Sequence, residues 1–167
     1  AIRLVQHILG VILTAFAFDT ARRLVPAGRG RAVAGALAGS LVALYGPLVR
    51  LESCLCLDLP VLFFQSAMMW ALVRWAVVAP RHRRRATAWC WIGAAGLFAA
   101  GAWLTRPTLT PVLPLLAAWI AWYSGRNAGV RRPGLVLDRF AYSRALGPAV
   151  LFLMFPAVAM TAIYIRN

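Results

Sequence analysis

Hydrophobic positions in this chain gather into runs of about 20 residues, separated by short clusters rich in arginine, proline and glycine. A helix of that length crosses the roughly 30 Å hydrocarbon layer of a bilayer at about 1.5 Å per residue. The pattern predicts an all-α fold: one polytopic transmembrane bundle over residues 1–167, with five or six spans. No stretch remains for a soluble domain of useful size.

The runs predict individual helices. The first extends from about Ile2 to Val25 and closes on Arg22, Arg23 and Pro26; it continues too far to read as a signal peptide. The second runs from Ala32 to Val49 and carries Gly35 and Gly39 in a GxxxG spacing, which lets helix backbones approach closely. The third, Leu59 to Ala79, opens with Pro60, a favourable residue near a helix start. The fourth, Ala86 to Leu104, follows the cluster Arg81-His82-Arg83-Arg84-Arg85 and presents Gly93, Gly96 and Ala100 for packing. The second and fourth helices are therefore expected to make the tightest contacts.

A fifth segment, Thr108 to Tyr123, contains Pro111 and Pro114, which predict a kink or a re-entrant path. Residues from Gly125 to Arg144 mix arginines with apolar side chains and predict a segment lying along the interface. The last helix, Leu146 to Ile165, includes Pro148 and Pro156. With six spans, the arginine-rich loops after the first, third and fifth helices share one side, cytoplasm or matrix. Both termini and the Arg50–Asp58 loop then fall on the other side. The tryptophans are expected towards helix ends, as an aromatic belt.

Charge refines this picture. The formal charge of +14 comes from 18 arginines against four acids, with no lysine, so lysine Schiff-base chemistry is excluded. Because the arginines lie between apolar runs rather than along one face, they report topology and not nucleic-acid binding. The expected partners are anionic lipids or acidic surfaces and other membrane subunits. Cys54, Cys56 and Cys90 form neither a disulfide framework nor a CxxC motif. The chain begins at Ala1, which implies an initiator residue or a longer leader removed or lying upstream.

Ionisable side chains inside a spanning helix are costly, so each is a functional candidate. Asp19 stands three and four residues before Arg22 and Arg23, a spacing suited to helix-face ion pairing; a proton-path role is the alternative. Arg74 is expected to reach the basic interface by snorkelling, and Gln65 to hydrogen-bond to a neighbouring helix as packing glue. Glu52, Cys54, Cys56 and Asp58 offer a weak soft-metal entry site. His7 has only His82, in the basic loop, as a haem-ligating partner. The expectation is no metal, no cofactor and no catalytic constellation.

Two patches resemble membrane subunit 6 of proton-pumping NADH:quinone oxidoreductase, respiratory complex I. Val61-Leu62-Phe63 is followed by Met68-Met69 at the spacing found in that family's third helix, and Glu52 precedes it at about the family distance. Leu151 to Arg166, with Ala159-Met160-Thr161-Ala162-Ile163, is similar to the family's last helix. The family's Tyr and Gly before Val-Leu-Phe are missing, Pro60 stands in that region and Gln65 replaces an aromatic. A sixth span also exceeds the family pattern. The resemblance implies a membrane-arm subunit in a bacterial plasma membrane or mitochondrial inner membrane, with Glu52 at about the place of the family's Glu; with the polar residues of the spans, the proton-path or coupling candidates are Asp19, Glu52, Gln65 and Arg74. A small-solute transporter or membrane substrate-binding component is the alternative, and a membrane enzyme acting on lipids or thiols a third reading.

Overall fold

A computed structural model describes residues 2–45, 58–80, 85–107, 110–127 and 139–166. Within them the chain folds into six helices: α1 (Ile2–Leu24), α2 (Gly30–Ala43), α3 (Asp58–Val78), α4 (Arg85–Thr105), α5 (Val112–Asn127) and α6 (Arg139–Arg166). Stretches of α1, α3, α4 and α6 are long and apolar enough to cross a membrane; α2 is a shorter apolar helix. The molecule is thus an all-helical bundle whose composition is consistent with an integral membrane protein.

Several boundaries differ from the expected ones, each for a physical reason. The second helix stops at Ala43 instead of Val49, with Leu44 at its C-cap. Gly46-Pro47 follows in sequence, and a proline disfavours helical geometry in the residue before it. At about 21 Å by helical rise, α2 is shorter than a full span. The fifth helix begins at Val112, so Pro111 precedes it and Pro114 falls in its first turn. There the missing N–H has no intrahelical partner to lose, and the prolines open the helix instead of kinking it.

The largest departure is at the C-terminal end. α6 begins at Arg139, seven residues before the expected start, and runs 28 residues through both Pro148 and Pro156. Its length of about 42 Å exceeds the bilayer core. The part of the expected interfacial segment from 139 onwards is therefore helical, as is its beginning up to Asn127; residues 128–138 lie outside the described residues.

Contacts fix the directions. Gly35 of α2 meets Phe18 of α1 and Gly39 meets Thr14, so these helices are antiparallel. Phe16 pairs with Phe63 and Trp70, and Asp19 reaches Arg74, so α1 and α3 run parallel. Trp70 meets Trp91 while Phe64 meets Gly101, so α4 returns antiparallel to α3. Tyr123 near the end of α5 donates its hydroxyl to the Ala76 carbonyl at 2.9 Å. The C-terminal ends of α1, α3 and α5 therefore gather at one end of the bundle.

The main core joins Met68, Ala71, Leu72 and Trp75 of α3 to Ile92, Ala95 and Ala99 of α4, to Leu113, Ala117 and Ile120 of α5, and to Ala149 and Phe152 of α6. Small residues alternate with large ones, which allows interdigitation at close packing. A second, smaller cluster joins Leu13 of α1 to Leu59 of α3. Trp75 is 2% exposed inside the main core, so this tryptophan belongs to the packing and not to an interfacial belt.

Gly35 and Gly96 sit at the closest helix contacts of the four glycines expected to pack. A Cβ on Gly96 would come within 2.7 Å of the Phe152 carbonyl oxygen of α6, and one on Gly35 within 3.0 Å of Phe18. Around Gly39 and Gly93 the nearest atoms lie at 3.5 Å and 3.9 Å, ordinary contact. The second and fourth helices each press on a different neighbour, α1 and α6. Two close approaches have no counterpart among the expected packing glycines, Gly101 against the Phe64 ring and Gly147 against Trp89.

Candidate functional site

The polar chemistry of the bundle converges on Asp19. This residue lies on the penultimate turn of α1, where the apolar run gives way to Arg22 and Arg23 in the last turn. Cationic side chains there complement the negative end of the helix dipole. The Arg23 Nε donates to Asp19 Oδ2 at 2.7 Å, and the Arg22 Nη2 stands 3.9 Å from Oδ1. The expected pairing within α1 is thus present.

Arg74 joins the same carboxylate from α3. Its Nη2 lies 2.9 Å and its Nε 3.0 Å from Asp19 Oδ2. The parallel packing of α1 and α3 places a carboxylate beside Arg74, a charge-assisted partner from another helix. The Trp70 indole Nε1 donates to Oδ2 as well, at 2.8 Å. One carboxylate oxygen therefore collects donors from Arg23, Trp70 and Arg74.

Aromatic rings complete the enclosure. The Arg74 guanidinium lies 4.8 Å from the Trp70 ring centroid and 5.0 Å from that of Trp91, with the two indoles edge to face at 5.1 Å. Phe16 stacks on the outer side of Trp70 at 4.8 Å. A delocalised guanidinium is weakly hydrated and suits such an aromatic slot. Asp19 is 17%, Arg23 20% and Arg74 27% exposed, so the cluster is largely withdrawn from its surroundings. Trp70 carries a readable signal, since it precedes Arg74 by one helical turn on the same face; Trp91 carries none, because only the α3–α4 packing brings it in.

Gln65 lies apart from this cluster. With Ser66 it lines an apolar cleft of about 650 Å³ between α1, α2 and α3, bounded by Leu13, Thr20, Leu24, Leu41, Tyr45 and Met69 among others. A second cleft of about 720 Å³ lies between α1, α3 and α5, lined by Arg23, Leu24, Met69, Val73, Trp119 and Tyr123 among others. Leu62, Gln65, Ser66, Met69, Val73, Ala76 and Pro80 recur at helical spacing, so the two clefts follow one face of α3 and meet at Leu24 and Met69.

At the opposite end of the bundle Asp58 opens α3 and accepts from Arg106 at 3.1 Å, with both side chains more than half exposed. Glu52, Cys54, Cys56 and His82, named above for coupling, metal or haem, lie outside the described residues. Among the described residues no three His, Cys, Asp or Glu side chains come together. The arrangement around Asp19 can hold α1, α3 and α4 in register and can present positive charge at one end of the bundle. Comparison with protein-family models, curated proteins and solved structures found no match.

Proposed function

We propose that the chain is a non-catalytic helical membrane subunit of a larger energy-transducing complex, in a bacterial plasma membrane or mitochondrial inner membrane. The observation that supports this reading is the closure of the Asp19 cluster. Asp19 Oδ2 is held by three donors, and the Arg74 guanidinium lies against the Trp70 and Trp91 rings. A carboxylate held in this way acts as a strut between helices, whereas a carrier of protons or solutes needs a polar group that exchanges partners. The outward face of α2, with Val33, Leu37, Leu41 and Leu44 exposed, gives a short apolar helix a surface suited to protein or lipid neighbours.

The resemblance to membrane subunit 6 of NADH:quinone oxidoreductase names the particular form this reading takes, a proton-translocating respiratory-chain subunit. α3, which carries Val61-Leu62-Phe63 and Met68-Met69, is α-helical from Asp58 to Val78. Its role under this proposal is structural.

Mild detergent extraction at native expression level, followed by native electrophoresis and mass spectrometry, tests the proposal. The expected result is migration with other membrane subunits in fixed stoichiometry. A monodisperse monomer that moves a solute in proteoliposomes would establish the transporter instead.

A further inference from the structure

The Asp19 cluster is unbalanced. Arg22, Arg23 and Arg74 share one carboxylate, and no second acid joins them among the described residues. The surplus lies beside a long apolar trough, since Arg23 itself lines the α1/α3/α5 cleft. From Leu62 to Val78 the grooved face of α3 extends about 24 Å by helical rise, and Arg23 brings positive charge to the cleft that holds its C-terminal half. A ligand that matches this surface is negative at one end and apolar over most of its length.

We propose that the groove along α3 binds an anionic phospholipid, with the phosphate on Arg22 and Arg23 and its acyl portion along the clefts. The clefts, of about 650 and 720 Å³, are each of the size that encloses small apolar ligands, roughly 300–1,000 Å³. Leu24 and Met69 stand between them, 68% and 49% exposed, and divide the trough in two. The charge of Arg23 at the rim of an otherwise apolar cleft suits a ligand with one anionic group and apolar chains. The guanidiniums supply the charge-assisted hydrogen bonds that a phosphate accepts. The Arg31 side chain, whose Nε donates to the Arg22 carbonyl at 2.6 Å, brings a further positive charge to the same end.

This inference rests only on membrane embedding and is independent of which assembly the chain joins. The experiment uses the purified full-length chain in mild detergent, with lipid retention read by native mass spectrometry and melting followed by circular dichroism. The probes are phosphatidylglycerol, phosphatidylcholine and inorganic phosphate. Phosphatidylglycerol should bind more than about tenfold tighter than phosphatidylcholine, and phosphate alone should give no shift, at about fivefold in affinity per arginine engaged. Arg22→Gln removes an arginine 46% exposed and only 3.9 Å from Asp19, which leaves the bonds from Arg23 and Arg74 intact; it should cost about fivefold for phosphatidylglycerol and nothing for phosphatidylcholine. Met69→Trp, at a half-exposed position, should lower retention of both lipids. Equal affinity for the two lipids, a full response to phosphate alone, or no effect of Arg22→Gln would overturn the proposal. Retention of both lipids unchanged in Met69→Trp would overturn it as well.

Discussion

Arg74 on α3 and Asp19 on α1, 55 positions apart in sequence, meet at 2.9 Å inside a helical bundle. Their contact ties together two helices that share no loop, and the indoles of Trp70 and Trp91 close over it. In a low-dielectric setting such a pair is held by its geometry, and removing Asp19 leaves Arg23 and Arg74 side by side without the carboxylate they share.

Asp19→Asn should therefore destabilise the protein by about 3 kcal/mol, the lower end for a buried pair because some exposure remains. Arg74→Gln should cost less, about 1.5 kcal/mol, because Asp19 keeps the bonds from Arg23 and Trp70. The double variant should recover about 1 kcal/mol or more relative to the sum of the two. Melting in mild detergent measures all three. By contrast Asp58→Asn, which breaks the exposed pair with Arg106, should cost less than about 1 kcal/mol. Equal losses at the two sites would sink the assignment of Asp19 as a strut.

Trp70 has two functions that can be separated. Trp70→Phe keeps an aromatic ring beside Phe16 and Arg74 but removes the N–H that reaches Asp19. The expected cost is about 1.5 to 3 kcal/mol, the value of a hydrogen bond to a charged group. Trp91→Phe only exchanges one aromatic face for a weaker one and should cost less than about 1 kcal/mol. If the order is reversed, ring stacking and not the indole donor dominates.

The ends of this cluster differ in how far the sequence discloses them. The Asp19–Arg23 bond follows from a four-residue spacing on one helix and is legible in the chain alone. Arg74 is not, because its partner depends on α1 and α3 lying parallel, which no local pattern encodes; by itself, an arginine near a basic loop favours snorkelling. A bundle of five or six helices is likewise legible from apolar runs, while the start of α6 is not. Arg139 to Arg144 lack the hydrophobicity of a span, and Pro148 reads as a break although it sits inside a continuous helix. Gly101 and Gly147 are hidden for a related reason, since a single glycine shows no spacing and only the facing Phe64 and Trp89 reveal the close approach.

Glycine substitutions test the α4–α6 seam. Gly96→Ala would place a methyl group 2.7 Å from a backbone oxygen, which cannot rotate away, so the helices must separate. The expected loss is about 1 to 3 kcal/mol, as for an overpacked core. At Gly93 the nearest atoms are 3.9 Å away, and Gly93→Ala should be neutral or stabilise by up to about 1 kcal/mol through helix propensity. Thermal melting of the two variants in parallel decides it, and matched effects would contradict the described seam.

The last prediction concerns which ends of the bundle share a side of the membrane. The contacts gather the C-terminal ends of α1, α3 and α5, through Asp19 with Arg74 and Tyr123 with the Ala76 carbonyl. In sequence each of these ends leads into an arginine-rich stretch, around Arg22 to Arg31, Arg81 to Arg85 and Arg126 to Arg144. Excess arginine holds loops on the inner side during insertion, so packing and charge independently assign these ends to one side. Arg106 and Asp58 then mark the other. In a background where Cys54, Cys56 and Cys90 are replaced by serine, Arg29→Cys should react with an impermeant thiol reagent only from the inner side, and Arg106→Cys only from the outer side. Labelling of both from one side would mean that α2, α3 and α4 between them cross the membrane an even number of times, and the alternating six-helix topology would have to be abandoned.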